Sequence, residues 1–212
     1  FAGILAAANA RPPLALRVNC RRARVPEYLE RLARNGIKAE AGGAAAVVLE
    51  KPVPAERIPG LAEGLVSVQD AAAQLAAPLL DLRDGMRVLD ACSAPGGKAG
   101  HALELADVAL TALDRDAARL ERVRANLVRL GFSARVVCGD ACEPAAWWDG
   151  APFERILLDV PCSASGVARR HPDIKWLRRE TDIAQFAREQ SRMLDALWQT
   201  LVSGGKLLYA TC

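Results

Sequence analysis

The sequence predicts an α/β fold whose larger part is a doubly wound, mainly parallel β-sheet, and three observations lead to it. From about residue 67 onward, short apolar segments recur at residues 87–91, 108–113, 134–138, 155–159 and 206–210. Each is apolar nearly throughout, which is typical of strands covered on both faces. Helical patterns alternate with them, and crossovers of this length are almost always right-handed. Together these features predict a Rossmann-like sheet.

The elements of this region follow in a regular order. The strand at 87–91 runs into a glycine-rich turn and then into a helix rich in Ala and Leu. The strand at 108–113 precedes a charged helix at about 116–130, and the three other strands follow. The chain starts without Met and stops as the last strand runs into a loop. We therefore expect a fragment from which C-terminal strands of the sheet are missing.

The first 66 residues predict a separate, small α/β subdomain, which gives domains of 1–66 and 67–212. Residues 14–18 and 46–50 are predicted strands, and residues 26–35 are a predicted helix that Gly36 ends. Proline and glycine residues then mark a linker between the domains, at Pro52, Pro54, Pro59 and Gly60. Several arginines of the subdomain are candidates for RNA phosphate contact, although a solvated basic edge explains them equally well: Arg11, Arg17, Arg21, Arg22 and Arg24.

Composition excludes several classes of protein. Hydrophobic residues make up 51% of the chain and the net charge is +3, which indicates a globular protein rather than a disordered one. No apolar run approaches the roughly 18 residues that cross a bilayer. The six cysteines form no short CxxC pair and no secretion signal is present, so a reduced, cytoplasmic setting is expected. Cys138 and Cys142 lie close together, but neither His101 nor His171 is at ligand spacing, and no metal is expected.

A glycine-rich turn follows the first strand of the sheet, in the stretch DACSAPGGK at residues 90–98. It is neither GxGxxG nor GxxxxGK[ST], which argues against a nucleotide-dependent oxidoreductase and against a P-loop NTPase. Asp114 ends the second strand, where a carboxylate can hold ribose hydroxyls, and Asp140 follows the third strand, where it can meet an adenine edge. The three strand ends together predict an adenosine-type cofactor.

Two cysteines and an acid lie at the ends of the last two strands. Asp159 is followed by Pro161-Cys162, and Cys212 follows Thr211. The carboxyl ends of neighbouring parallel strands meet at one edge of the sheet, so both thiols should face one crevice. A single cysteine at a strand end is usually a small buried hydrophobic residue. The combination beside a cofactor loop instead predicts a catalytic site.

Four motifs carry a family resemblance: ACSAPGGK, LLDVPCSASG, RRHPDIKWLRR and YATC. They resemble the RsmB/Sun (Fmu) family of bacterial 16S ribosomal RNA cytosine-5 methyltransferases, and RPPLALRVN and the SVQD sequence at 67–70 are similar as well. The resemblance runs from about Arg11 to Cys212. It implies a class I S-adenosylmethionine-dependent methyltransferase that modifies carbon 5 of a cytosine in RNA, most typically 16S ribosomal RNA.

The resemblance also implies roles for individual residues. Cys212 adds to carbon 6 of the cytosine, Cys162 assists its release, and Asp159 hydrogen-bonds the base. Because Cys212 must react as a thiolate, we expect its surroundings to lower its pKa. The family departs from this sequence at Ser93, Ala99 and Val160, where no reacting group is lost. Implied cofactor contacts are Cys92, Ser93, Ala94, Pro95, Gly96, Gly97, Lys98, Asp114, Arg119, Asp140 and Asp159.

The segment between residues 166 and 192 is basic and contains Trp176. Basic side chains with an aromatic residue suit an RNA strand whose target base is flipped out. The alternative is that Trp176 belongs to the core and the arginines lie on a solvated helix. Two other functions stay open: a catalytically inactive RNA-binding or ribosome-assembly module, and a methyltransferase that acts on tRNA. The candidate RNA contacts are Arg169, Arg170, His171 and Lys175.

Overall fold

Two β-sheets, formed by successive parts of the chain, organise the computed structural model, which describes residues 3, 9–10 and 12–212. Arg11, one of the candidate phosphate contacts, lies outside these residues. The first sheet is antiparallel, with the strand order β2-β3-β1-β4. Helix α1 (Val25–Arg34) covers it, and its Tyr28 and Leu32 enter the core. The strands are β1 (Leu14–Val18), β2 (Ala39–Ala41), β3 (Ala46–Leu49) and β4 (Val66–Val68).

The predicted linker is wrong, because the segment around residues 52–60 connects β3 to β4 within the first sheet. Its prolines do break the strand pattern, but Ile58 is only 4% exposed and packs into the core of that sheet. The Tyr28 hydroxyl also donates a hydrogen bond to the Pro59 carbonyl at 2.9 Å. Strands β1 and β3 were predicted; β2 and β4 were not. Strand β4 (Val66–Val68) crosses the predicted boundary at residue 66. The division into domains 1–66 and 67–212 stays a prediction.

The second sheet is parallel and confirms the predicted Rossmann-like architecture. Its strand order is β7-β6-β5-β8-β9, so the order reverses between β5 and β8. Ligands of such sheets bind outside the carboxyl ends of the strands at this switch point. The strands are β5 (Arg87–Ala91), β6 (Ala109–Asp114), β7 (Arg135–Cys138), β8 (Phe153–Asp159) and β9 (Leu201–Ala210).

Helices cover both faces of the parallel sheet. Leu120 and Val123 lie in one apolar core with residues of β5 and β6, and Met193 and Leu197 lie in another with residues of β5 and β8. Helix α4 (Ala117–Leu130) begins after Asp116, whose carboxylate accepts a hydrogen bond from the Arg119 N–H in the first turn. The helices are α2 (Ala76–Leu79), α3 (Gly97–Leu105), α4 (Ala117–Leu130), α5 (Ile174–Leu177) and α6 (Glu180–Trp198). In the described part of the chain, no helix is both long and apolar enough to cross a membrane.

Arg17 of β1 and the two arginines that follow it, Arg21 and Arg22, bind helices α3 and α4 of the second sheet. Arg17 is fully buried and pairs with Glu104 of α3, so it is unavailable to RNA phosphates and does not belong to a solvated edge. Arg21 donates to the Glu104 carbonyl at 3.0 Å, and Arg22 donates to the Leu130 carbonyl at 2.6 Å. These guanidinium groups satisfy carbonyls at helix C-termini. RNA contact by the rest of this subdomain stays a prediction.

Arg129 of α4 joins the first sheet to a helix of the second sheet, and its loss should destabilise the protein. It donates to the carbonyls of Leu61 and Val66 at 2.7 and 2.9 Å, and to the Ser67 hydroxyl at 2.9 Å. We expect Arg129→Ala to lower the free energy of unfolding by about 1–3 kcal/mol, because these acceptors lose their donor. Urea denaturation measures it. Arg122→Ala, on the exposed side of the same helix, should cost less than about 0.5 kcal/mol; equal losses would contradict the assignment.

Candidate active site

A cleft of about 270 Å³ opens at the carboxyl edge of the parallel sheet, at its switch point. The ends of β5, β6, β8 and β9 each contribute to its lining. This arrangement brings together the loop after the first strand, the acid of the second and the thiols of the last two. The predicted residues that line it are Cys92, Ala94, Asp114, Arg119, Asp140, Asp159, Cys162 and Cys212.

The two predicted reactive thiols are adjacent in this cleft. The Sγ atoms of Cys162 and Cys212 are 3.2 Å apart, and the Ala164 N–H donates to the Cys162 Sγ at 3.3 Å. Gly166 packs against the Cys212 backbone so closely that a Cβ there would lie 2.9 Å from the Cys212 carbonyl carbon. The positions of the thiols are therefore fixed by the backbone on both sides.

A hydrogen-bond chain also joins the segments that carry the two thiols. The Tyr209 hydroxyl of β9 donates to the Gln190 side-chain oxygen at 2.9 Å. The Gln190 amide nitrogen in turn donates to the Pro161 carbonyl at 2.8 Å. Helix α6 thus links the residue before Cys162 to the strand before Cys212.

The surroundings shift the pKa values of the two thiols in opposite directions. Burial raises the pKa of Cys212 to about 11, and the hydrogen bond and charge of Cys162 add to the effect. At Cys162, burial also raises the pKa, but hydrogen bonds from Cys212, Thr211 and Ala164 outweigh it, so the pKa lies below the ordinary value. The expectation that the site lowers the pKa of Cys212 is therefore wrong for this structure. Cys162 is the thiol that ionises first.

An ion pair lies directly beside the thiols. The Lys98 ammonium is 2.6 Å from the Asp159 carboxylate, so Lys98 contacts the base-binding candidate rather than the open cleft. Asp90, at the end of β5, is buried beneath this pair and its Oδ2 accepts a hydrogen bond from the Ser93 hydroxyl at 2.8 Å. Its Oδ1 has no partner among the described residues. Burial raises the pKa of Asp90 to about 7.

Asp114 organises the glycine-rich loop, which we define as residues 92–98. Its carboxylate accepts hydrogen bonds from the Ala94 and Asp116 N–H groups, both at 3.1 Å. Arg119 lies 3.7 Å from the same carboxylate and donates to the Ala94 carbonyl at 2.8 Å. Asp114 is thus held at the cleft wall in a fixed orientation, as a ribose-binding carboxylate would require.

Asp140 follows β7, the strand next to β6, and is oriented by its neighbours in the chain. Its Oδ1 accepts a hydrogen bond from the Cys142 N–H at 2.8 Å, and its carbonyl accepts one from the Trp147 indole at 2.8 Å. Trp147 also lies against Gly139, where a Cβ would be 2.8 Å from the indole ring. The chain after β7 is therefore held in a tight turn that presents Asp140 to the cleft.

Other residues of the predicted cofactor set do not line this cleft. Ser93 is buried and hydrogen-bonded to Asp90, and Lys98 is paired with Asp159. Pro95, Gly96 and Gly97 line a larger groove of about 970 Å³ on the other side of the loop. These three residues belong to the side of the loop that faces the larger groove. Direct contact between them and a cofactor stays a prediction.

The candidate RNA-binding residues fall into two groups. Arg170 is 2.7 Å from the Asp70 carboxylate, in the segment after β4. Arg169 donates to the Ala10 carbonyl at 3.0 Å, in the segment before β1. His171 and Lys175 are exposed. Trp176 is 89% exposed, which excludes it from the core. RNA contact by these side chains stays a prediction.

The described residues contain no group of three or more His, Cys, Asp or Glu side chains that could hold a metal ion. Sequence reasoning missed Arg115 and Met193, which also line the cleft. Arg115 directly follows Asp114, which was an available signal. Met193 lies on the buried side of α6, where helical periodicity indicates burial but not proximity to a site.

The fold and the site define a class: a Rossmann-type sheet of the methyltransferase kind that carries two cysteines at adjacent strand ends. Residues 77–212 match the family described as 16S rRNA methyltransferase RsmB/F. Residues 1–56 match the ferredoxin-like domain described for RsmF/B-like methyltransferases. The chain belongs to the RsmB/F family, which confirms the resemblance carried by the motifs.

Curated relatives support this membership along nearly the whole chain. Ribosomal RNA small subunit methyltransferase B of Pseudomonas syringae pv. tomato is 55% identical over 99% of this chain and 48% of its own length. The protein of the same name from Vibrio cholerae is 52% identical over 99% of this chain and 49% of its own. The chain spans about half the length of the curated relatives it matches.

Solved structures share the fold of both sheets. The crystal structure of PH0851 covers 98% of this chain and 48% of its own, with a TM-score of 0.92 and 28% identity. A methyltransferase homolog protein from Pyrococcus horikoshii covers 98% and 67%, with a TM-score of 0.83 and 30% identity. The order β4-β1-β3-β2 of the first sheet is that of a ferredoxin-like domain, in which a 3₁₀ turn at Ala55–Arg57 takes the place of the second helix.

The opposite pKa shifts predict the order in which the thiols react with iodoacetamide. Over a series from neutral to alkaline pH, Cys162 should be alkylated first, with its inflection below 9.0, and Cys212 should inflect at about 11. Cys162→Ala removes two contributions that raise the pKa of Cys212, so Cys212 should then react at lower pH. Peptide mass spectrometry measures both sites. Cys138→Ala, outside the cleft, is the control, and prior alkylation of Cys212 in the unmodified protein would contradict the order.

Proposed function

We propose that the protein uses S-adenosylmethionine to methylate carbon 5 of a cytosine in RNA, and that the RNA is 16S ribosomal RNA. The observation that carries the proposal is the pair of thiols 3.2 Å apart at adjacent strand ends, beside Asp159 and the glycine-rich loop. Family membership and the names of the curated relatives support the substrate. A ribosomal RNA substrate implies a cytoplasmic location, which we include in the proposal.

The cleft suits an adenosine cofactor with a charged amino-acid end. Asp114 is held rigidly for ribose hydroxyls, Asp140 follows the adjacent strand and suits the adenine, and backbone groups after β5 also line the cleft. The cleft also reaches the two thiols, so a group bound there lies next to them. When bound, S-adenosylmethionine supplies an electrophilic methyl group.

Covalent catalysis explains why two thiols are needed. Carbon 5 of an unactivated cytosine is a poor nucleophile. As the Cys212 sulfur forms a bond to carbon 6, its proton passes to the Cys162 sulfur, 3.2 Å away, in the molecules in which Cys162 is ionised; the lowered pKa of Cys162 increases their fraction. The ring electrons then reach carbon 5, which takes the methyl group.

Release of the product requires a base a second time. The proton on carbon 5 must leave so that the carbon–sulfur bond of Cys212 can break and the ring can regain its aromaticity. Cys162, having passed its first proton to solvent, is placed to accept this one. Lys98 and Asp159 provide an opposed pair of charges for the polar edge of the base, with Asp159 accepting from the exocyclic amine.

RNA contact is proposed for the exposed part of the 166–192 segment. His171, Lys175 and Trp176 are all exposed, and an exposed indole beside basic groups can stack on an unpaired base. Arg169 and Arg170 remain in the proposal as neighbours that fix the segment through Ala10 and Asp70.

Transfer of a tritiated methyl group by the full-length protein tests the function. We expect incorporation into small-subunit ribosomal RNA and recovery of the label as 5-methylcytidine after digestion. The matched substrate is unfractionated tRNA, which should accept none. Labelled tRNA would instead support a tRNA enzyme, and cofactor binding without any transfer would support an inactive RNA-binding module.

Single cysteine substitutions should separate the two roles. Cys212→Ala should abolish transfer and any covalent RNA adduct, because no sulfur then attacks carbon 6. Cys162→Ala should instead accumulate a protein–RNA adduct: Cys212 still attacks, because its pKa falls once Cys162 is removed, but the carbon 5 proton is removed too slowly for release. Denaturing gel electrophoresis with labelled RNA distinguishes the two, and Cys138→Ala controls for general loss of a thiol. An adduct in Cys212→Ala but not in Cys162→Ala would reverse the roles.

A further inference from the structure

Three carbonyls of the glycine-rich loop each accept a hydrogen bond from a side chain. Arg119 donates to the Ala94 carbonyl at 2.8 Å, and Asn126 donates to the Pro95 carbonyl at 2.8 Å. Both donors lie on α4. The third donor comes from the other sheet: Arg17 of β1 donates to the Gly97 carbonyl at 2.7 Å. The loop is therefore held both by α4 and by the first sheet.

Arg17 is a buried, fully oriented donor rather than a flexible one. Its side chain has no exposed surface, and its Nε and Nη2 donate to the two Glu104 oxygens, each at 2.8 Å. Its Nη1 also donates to Gln69. A two-pronged bond to a carboxylate fixes the plane of the guanidinium. The remaining Nη1 donor is thereby aimed at the Gly97 carbonyl.

Glycines on α3 make this approach feasible. At Gly100 a Cβ would lie 2.6 Å from Leu130 Cδ1 and 3.4 Å from Arg17 Nη2. At Gly97 a Cβ would come within 3.6 Å of the Gln69 amide nitrogen. The first turn of α3 thus presents only backbone toward the first sheet at Gly97 and Gly100, which lets the guanidinium reach the start of the helix.

We propose that Arg17 is a positioning residue for the cofactor, so that the first sheet helps to set cofactor affinity. The inference rests on the proposed function, since it concerns the same cleft. Holding the Gly97 carbonyl away from the cleft fixes the peptide planes of the loop and the start of α3. The loop residues that line the cleft are Cys92 and Ala94, so the fixed peptide planes are those that border a bound cofactor. Fixing them before binding removes an ordering cost that binding would otherwise incur.

The main test replaces the buried ion pair in the full-length protein with apolar side chains of similar size. Arg17→Met/Glu104→Met removes both charges together, which buried pairs tolerate far better than loss of one partner. We expect the Kd for S-adenosylhomocysteine, measured by calorimetry, to rise about tenfold, or about 1.4 kcal/mol. In turnover, KM for S-adenosylmethionine should rise by a similar factor, while kcat at saturation changes less than about threefold.

The matched control is Arg21→Ala at the same interface. Arg21 is 2.6 Å from Asp107 and donates to the Glu104 carbonyl, but it does not contact the glycine-rich loop. This variant should leave the Kd unchanged. An equal rise in both variants would show a general effect of the interface and overturn the inference. If the double variant fails to fold, Arg17→Lys keeps a positive charge beside Glu104 without the fixed fork and serves in the same comparison.

Hydrogen exchange without cofactor separates the inference from the function. Amides of residues 94–98 should exchange faster in Arg17→Met/Glu104→Met than in the unmodified protein, and not in Arg21→Ala. Unchanged exchange together with an unchanged Kd would overturn the inference while the function stands. Failure of the unmodified protein to bind S-adenosylhomocysteine would contradict the proposed function itself, and with it the role of Arg17 in affinity.

Discussion

The parallel pairing of β8 with β9 is the constraint on which the site depends. In this register Asp159 lies opposite Ala210, and the Val160 N–H donates to the Ala210 carbonyl at 3.0 Å. Cys162 lies three residues after Asp159 and Cys212 lies two residues after Ala210, both just beyond the strand ends, so the pairing brings the two thiols close together. A slip of one residue would displace one thiol by about 3.3 Å and turn its side chain to the other face. The tight packing at Gly166 and the Tyr209–Gln190 bond both oppose such a slip.

Sequence reasoning succeeded where burial imposes a strong pattern and failed where it does not. All five strands of the parallel sheet were predicted from short apolar runs, but β9 was predicted only from residue 206, because Ser203, Gly204 and Gly205 interrupt its apolar pattern. Strand β2 is only three residues long and two of them are exposed, so it has no pattern to detect. The prolines after β3 indicated a linker, because a sequence pattern does not show that Ile58 returns to the core.

The site shows a similar division between position and environment. Strand ends predicted which residues meet, and the cleft contains Asp114, Asp140, Asp159 and both thiols. The ion pair of Lys98 with Asp159 was not predicted, because it depends on a side chain crossing between two loops. The pKa order of the thiols was likewise inaccessible, since it depends on which sulfur receives the backbone and side-chain donors. Arg17 was a candidate either for RNA contact or for a solvated edge for a related reason: composition does not distinguish a solvated arginine from a buried one.

A third thiol in the cleft shows how far the environment decides chemistry. Cys92 lies in the glycine-rich loop, but burial, together with the negative charges of Asp114, Asp90 and Asp159, raises its pKa to about 12. It therefore stays a neutral thiol throughout the physiological range. Burial raises the pKa of Asp90 as well, to about 7. At mildly acidic pH it therefore carries a proton in the folded protein, whereas in the unfolded chain it is ionised. This difference lowers the free energy of unfolding progressively as pH rises from about 4 to 7, because the folded protein then has to ionise a buried carboxyl group.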